Sequence, residues 1–137
     1  MARERKAWRS RRTLTASLAA VGIVLAFLPP GLASLKKPEE FKIGIKAQDR
    51  GDWRGSVDLL RKSLEKLPED GELVRIYGTK YKSYLPHYYL GLALYKQKDC
   101  PAALKEWEEC LGLGAILKTE EHKEFLGYYA KCEEQAR

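Results

Sequence analysis

The side chains in this chain with the most chemistry to offer are three cysteines (Cys100, Cys110 and Cys132), two histidines (His87 and His122) and two groups of glutamates. Those groups are Glu106, Glu108 and Glu109, and then Glu120, Glu121 and Glu124. A metal centre needs several Cys, His or carboxylate donors gathered at short spacing; neither histidine has such neighbours at ligand spacing. The glutamates fall in charged stretches that read as solvated helix faces, and the second group also suits the positive end of a helix. No glycine-rich phosphate cradle and no supported Ser–His–Asp arrangement accompanies them. The expectation is therefore a protein that is not an enzyme, with no catalytic residue, no metal ligand and no cofactor. Three cysteines are too few for a disulfide scaffold, although one pair could form in an oxidising compartment and leave one free thiol. Cys100 and Cys110 stand ten residues apart on one expected helix, about 15 Å along its axis, too far to bridge each other.

The elements that carry these groups follow an N-terminal leader. The net charge of +6 suggests phosphate binding until it is located. Arg3, Arg5, Lys6, Arg9, Arg11 and Arg12 stand against Glu4 alone in the first 13 residues, and the rest of the chain is close to neutral. A nucleic-acid binder needs its basic stripe on the folded domain, so nucleic acid is not expected as a partner. After the basic stretch comes an apolar run, Leu14 to Leu28, then Pro29-Pro30 and the small residues of Gly31-Leu32-Ala33. That is the order of a secretory signal. The run is shorter than the ~20 residues that span a bilayer comfortably, yet an uncleaved anchor with its basic end inside fits equally well. Residues 1–33 are thus expected as a signal peptide or membrane anchor, and 34–38 as a linker. The destination is periplasmic or otherwise extracytoplasmic, free or held at the inner membrane, with membrane contact only through this segment. Absence of asparagine, and so of any N-glycosylation acceptor, is compatible with a bacterial envelope protein.

From residue 39 the apolar residues recur at helical spacing in pairs of segments. Phe41, Ile45 and Ala47 form one face, Gly51-Asp52 interrupts, and Val57, Leu60, Leu64 and Leu67 continue until Pro68. Residues 69–85 hold two glycines and three tyrosines and read as an extended connection with room for one helical turn. Pro86 suits a helix first turn, and Tyr88, Leu92 and Tyr95 share a face. Lys98-Asp99 makes a turn, and Leu104, Trp107 and Leu111 line the next helix, which Gly112-Leu113-Gly114 ends. A last helix from Glu120 to Gln135 carries Phe125, Tyr128, Tyr129 and Cys132. Five helices in the order hairpin, hairpin, single helix are expected.

The two hairpins match at fixed offsets. Asp52 lies eight residues after Gly44, and Asp99 eight after Gly91; Ser56 and Ala103 lie twelve after, Leu60 and Trp107 sixteen, and Ser63 and Cys110 nineteen. Leu126-Gly127 opens a third copy. On these residues the chain resembles the tetratricopeptide repeat family, through Tyr88-Tyr89-Leu90-Gly91-Leu92-Ala93-Leu94-Tyr95 up to Asp99, then Ala103, Trp107 and Cys110. The resemblance implies an all-α fold, antiparallel helix hairpins stacked as a short solenoid over residues 39–137. Its units are 40–68, 86–114 and a partial 119–137, with Gly44, Ser56, Leu60, Gly91, Ala103, Trp107, Cys110 and Gly127 as the repeat-packing residues. The copies are 47 residues apart instead of the family's ~34. The insertion, residues 69–85, must then lie on one face of the stack, where it could cover or shape the groove.

The family's geometry implies a concave groove lined by the first helix of each unit, here Phe41, Ile45, Tyr88, Leu92, Tyr95, Lys96 and Tyr128. Tyrosines give apolar area with a polar tip, which suits partner binding, though packing explains any single tyrosine as well. Family members that hold acidic chaperone tails use basic and amide residues where Phe41 and Ile45 stand, so that activity is not implied. In a stack of this kind the start of one second helix meets the end of the next first helix, which leaves Cys100 and Cys132 as either a disulfide or two free thiols; Cys110 is expected as a buried core thiol. Two functions follow: a protein- or peptide-binding scaffold of the cell envelope, or a self-associating structural protein that buries its open repeat end against a second copy.

Overall fold

A computed structural model describes residues 36–137. The expected signal or anchor, and the start of the linker, lie outside the described residues. Five α-helices and a small two-stranded sheet follow one another: α1 (Glu39–Asp49), α2 (Trp53–Lys66), β1 (Gly71–Tyr77), β2 (Lys80–Tyr84), α3 (Pro86–Lys96), α4 (Cys100–Leu113), a short 3-10 turn (Ala115–Lys118) and α5 (Glu121–Gln135). The protein is mostly helical.

The two helix-to-helix turns are built alike. Gly51 and Lys98 both take left-handed backbone, at φ 76° and 67°, which reverses the chain within two residues. The aspartate that follows each then caps the next helix: Asp52 accepts from the Gly55 amide at 2.9 Å and Asp99 from the Ala102 amide at 3.1 Å. An aspartate cap satisfies one orphan amide and contributes about 1 kcal/mol. Pro86 and Pro101 stand in the first turns of α3 and α4, where the missing N–H costs nothing.

Sequential helices pack against each other, with α1 also meeting α3 and α3 meeting α5. In the α1–α2 and α3–α4 pairs a glycine sets how closely the helices approach. A Cβ on Gly44 would lie 3.1 Å from Leu60 Cγ, and one on Gly91 would collide with the Trp107 indole, reaching within 2.5 Å of its Cδ1. Trp107 is fully buried, and its indole N–H donates to the Tyr88 carbonyl at 3.1 Å, pinning the ring over Gly91. Ser56, Ser63, Ala103 and Cys110 sit fully buried at the matching small positions. The same spacing thus seats a large residue over a glycine in both helix pairs.

Residues 69–85, expected as an extended connection with room for one helical turn, hold no helical turn and add a small sheet to the helices. They form an antiparallel β-hairpin with a two-residue Gly78-Thr79 loop, Tyr77 opposite Lys80 and Val74 opposite Lys82. Gly78 takes φ 52° there, the left-handed backbone that tight hairpin loops require. The alternation Val74-Arg75-Ile76-Tyr77 puts Val74 and Ile76 inward and Arg75 and Tyr77 outward, the period-2 pattern of a half-buried strand. Val74, Ile76 and Tyr84 join the helices in one continuous core.

Candidate functional site

The hairpin is fastened to α1 and α2 first. Tyr77 Oη and Lys80 Nζ both donate to Asp49 Oδ2, at 2.9 and 2.6 Å. Tyr84 Oη donates to the Leu67 carbonyl and pairs with Ser63 Oγ, both at 2.8 Å, and its ring stands edge-on to Phe41 at 4.7 Å between centroids. Phe41 in turn meets Tyr89 at 5.8 Å, and Tyr88 touches Tyr89 and Phe125.

This packing corrects the expected groove. Phe41, Ile45, Tyr88 and Leu92 are between 0% and 9% exposed. They belong to the core: Tyr84 of the hairpin stands over Phe41, and Phe125 of α5 stands against Tyr88. Tyr95, Lys96 and Tyr128 remain at the surface together: Tyr95 and Tyr128 lie 5.0 Å apart between centroids, and Lys96 Nζ sits over the Tyr128 ring at 5.5 Å.

The open face has moved to the other side of the hairpin. Between β1–β2 and the start of α5 lies a cleft of about 940 Å³. Leu73 and Tyr81, 67% and 52% exposed, give it apolar area on the hairpin side. Glu72, Glu120, Glu121 and Glu124 line it against Lys82 and Lys118, so carboxylates outnumber ammonium groups. Glu121 ties the two walls together. Its carboxylate accepts from the Ser83 amide at 3.2 Å, the Ser83 hydroxyl at 3.1 Å and the Tyr89 hydroxyl at 2.9 Å. Burial alone would raise the Glu121 pKa, but its own amide and the Tyr89 and Ser83 donors outweigh that and hold it below the ordinary value. The Ser83 amide therefore points away from β1. Alternate residues of an antiparallel strand turn their amides to the same side, so the outer edge of β2 faces the cleft.

The chemically suggestive residues of the sequence are dispersed. His87 Nδ1 meets Glu106 Oε2 at 2.7 Å between α3 and α4, while His122 stacks on Phe125. Cys100 and Cys132 are joined in a disulfide with their Cα atoms 5.2 Å apart, and Cys110 is a buried free thiol. Burial pushes the Cys110 thiol up to about 12, which removes its nucleophilic form at neutral pH. Asp70, just before β1, has both carboxylate oxygens shielded from solvent with no hydrogen-bond donor among the described residues. Burial pushes its pKa up to about 6, against the opposing pull of His87. No group of three His, Cys, Asp or Glu among the described residues is arranged to hold a metal ion.

Sequence reasoning missed Leu73, Tyr81 and Ser83 as cleft residues. The alternation from residue 73 to 77 ahead of Gly78 was the signal for the hairpin that presents them. Comparison of the chain with protein-family models, with curated proteins and with solved structures finds no match.

Proposed function

We propose that this chain is a non-catalytic peptide- or protein-binding module on the tetratricopeptide plan, acting in the cell envelope and holding its partner in the cleft between the hairpin and α5. The observation that carries the reading is that cleft: exposed Leu73 and Tyr81 beside Glu72, Glu120 and Glu124, braced by the Glu121–Ser83 contacts. The repeat plan is supported by the two glycines seated under Leu60 and Trp107 at identical offsets. Action in the envelope is supported by the basic, apolar and small-residue order of residues 1–33, as a cleaved signal or an inner-membrane anchor.

The cleft chemistry defines the class of partner. An extended segment carrying lysine or arginine beside one large apolar residue answers the excess carboxylate and the Leu73–Tyr81 surface. Tyrosine at such a site supplies contact area at low entropic cost. A random-peptide display selection on the immobilised protein, followed by calorimetry on the recovered peptides, tests this. Basic, apolar-containing peptides are expected, with binding lost in Tyr81→Asp and weakened by salt. Recovery of no peptide, or of peptides that bind Tyr81→Asp unchanged, contradicts the reading.

A further inference from the structure

The third glycine in the series has no neighbour. Gly44 and Gly91 are buried, roofed by Leu60 and Trp107, whereas a Cβ on Gly127 would meet nothing within 4 Å. Ala130, three residues on, is exposed, although Ala47 and Leu94 at the same offset from their glycines are buried. Leu126 is 52% exposed on the same side of α5. Beside this strip runs a shallow groove of about 470 Å³ lined by Glu120, Lys123, Glu124, Gly127, Tyr128 and Lys131.

At 100° per residue, Lys123, Leu126, Gly127, Ala130 and Glu134 fall on one face of α5. The order of those five is self-complementary. Turned end for end against its own copy, with the midpoint between residues 128 and 129, α5 sets Lys123 opposite Glu134 at both ends. Gly127 then lies opposite Ala130 at the centre, and the Lys131 stem covers Leu126. Small residues at the centre let two helix backbones approach closely. Neither Lys123 nor Glu134 is in an ion pair among the described residues. A parallel pairing would instead oppose like charges.

We infer that the Leu126–Gly127–Ala130 face of α5 is a docking surface for a second copy of this chain, paired antiparallel through α5 with reciprocal Lys123–Glu134 contacts. Pairing on this face leaves Glu121, which lies around the helix from it, to the cleft. Each dimer then carries two clefts, and a partner with two basic segments gains avidity from both.

Sedimentation of the full chain over a concentration series decides the matter. The expected result is a monomer–dimer equilibrium in which Lys123→Glu weakens association at least about tenfold and Glu134→Lys does the same. The double variant Lys123→Glu with Glu134→Lys restores it, because the reciprocal pairs are re-formed with opposite sign. All of these side chains are exposed, so the fold is not at risk. A monomer at every concentration overturns the inference. So does a dimer indifferent to both single reversals, the signature of association through another surface, and so does a double variant no better than the singles.

Discussion

Replacing Gly91 with alanine separates a glycine that merely sits in a helix from one that permits two helices to touch. The new methyl would collide with the Trp107 indole. That ring cannot step aside, since it is fully buried, hydrogen-bonded to the Tyr88 carbonyl and packed edge-on against Phe125 at 5.9 Å. Overpacking a core costs about 1–3 kcal/mol, and straining the indole hydrogen bond adds about 1 kcal/mol. Alanine's better helix propensity returns about 1 kcal/mol. The net loss is about 2 kcal/mol, which lowers the melting temperature of a unit this size by roughly 8–15 °C. Gly127→Ala is the internal control: nothing lies within 4 Å of the added methyl, so propensity alone acts and stability rises by about 0.5–1 kcal/mol. Thermal unfolding followed by circular dichroism on dilute protein reads both. A Gly91→Ala protein as stable as the parent, or a Gly127→Ala protein equally damaged, refutes the reasoning.

Asp70→Asn stabilises the protein at neutral pH by roughly 1–2 kcal/mol, a value discounted for a half-buried site. The folded pKa of about 6 lies above the ordinary 3.8. Asp70 therefore stabilises fully below pH 3.8 and loses that contribution as pH rises through 6, and denaturant titrations at pH 7 and pH 3.5 should show the asparagine advantage only at the higher pH. Glu121→Gln acts in the opposite sense. The folded pKa lies below 4.5, so the carboxylate's contribution, about 2 kcal/mol for its charge-assisted donors, is present above pH 4.5 and fades as pH falls through the folded value. Reducing the Cys100–Cys132 bond, which closes a separation of 32 residues, costs about 3–4 kcal/mol on the loop-entropy account and frees the end of α5 to fray; amide exchange in residues 121–135 reports it. Alkylation with mass readout should modify no cysteine in the native oxidised protein, one after unfolding, and three after unfolding with reductant.

What the sequence made legible was the helical periodicity and the turns between helices. The matched offsets from Gly44 and Gly91 placed the helix turns at Asp52 and Asp99 and the small residues that nest under Leu60 and Trp107. Residues 69–85 were harder because their strand alternation is only five residues long and is flanked by glycines, so it reads equally as irregular chain. That one element then decided the site. Whether Phe41 lines a groove or a core depends on a hairpin folding back over α1 and α2, contacts between residues 21 to 43 positions apart that no local pattern encodes; Tyr88 is covered instead by Phe125 of α5. Glu121 was visible only as part of a charged run, and its role as the brace of the cleft comes from Ser83 and Tyr89, more than 30 residues upstream.

The most direct test of the binding account is a footprint. Isotope-labelled protein is titrated with the tightest selected basic peptide while amide resonances are followed. The account predicts shifts concentrated at Leu73, Tyr81, Lys82, Ser83, Glu120 and Glu124, with the core amides of Phe41, Ile45 and Leu92 unmoved. Shifts centred on Tyr95, Lys96 and Tyr128 with a silent hairpin would contradict it.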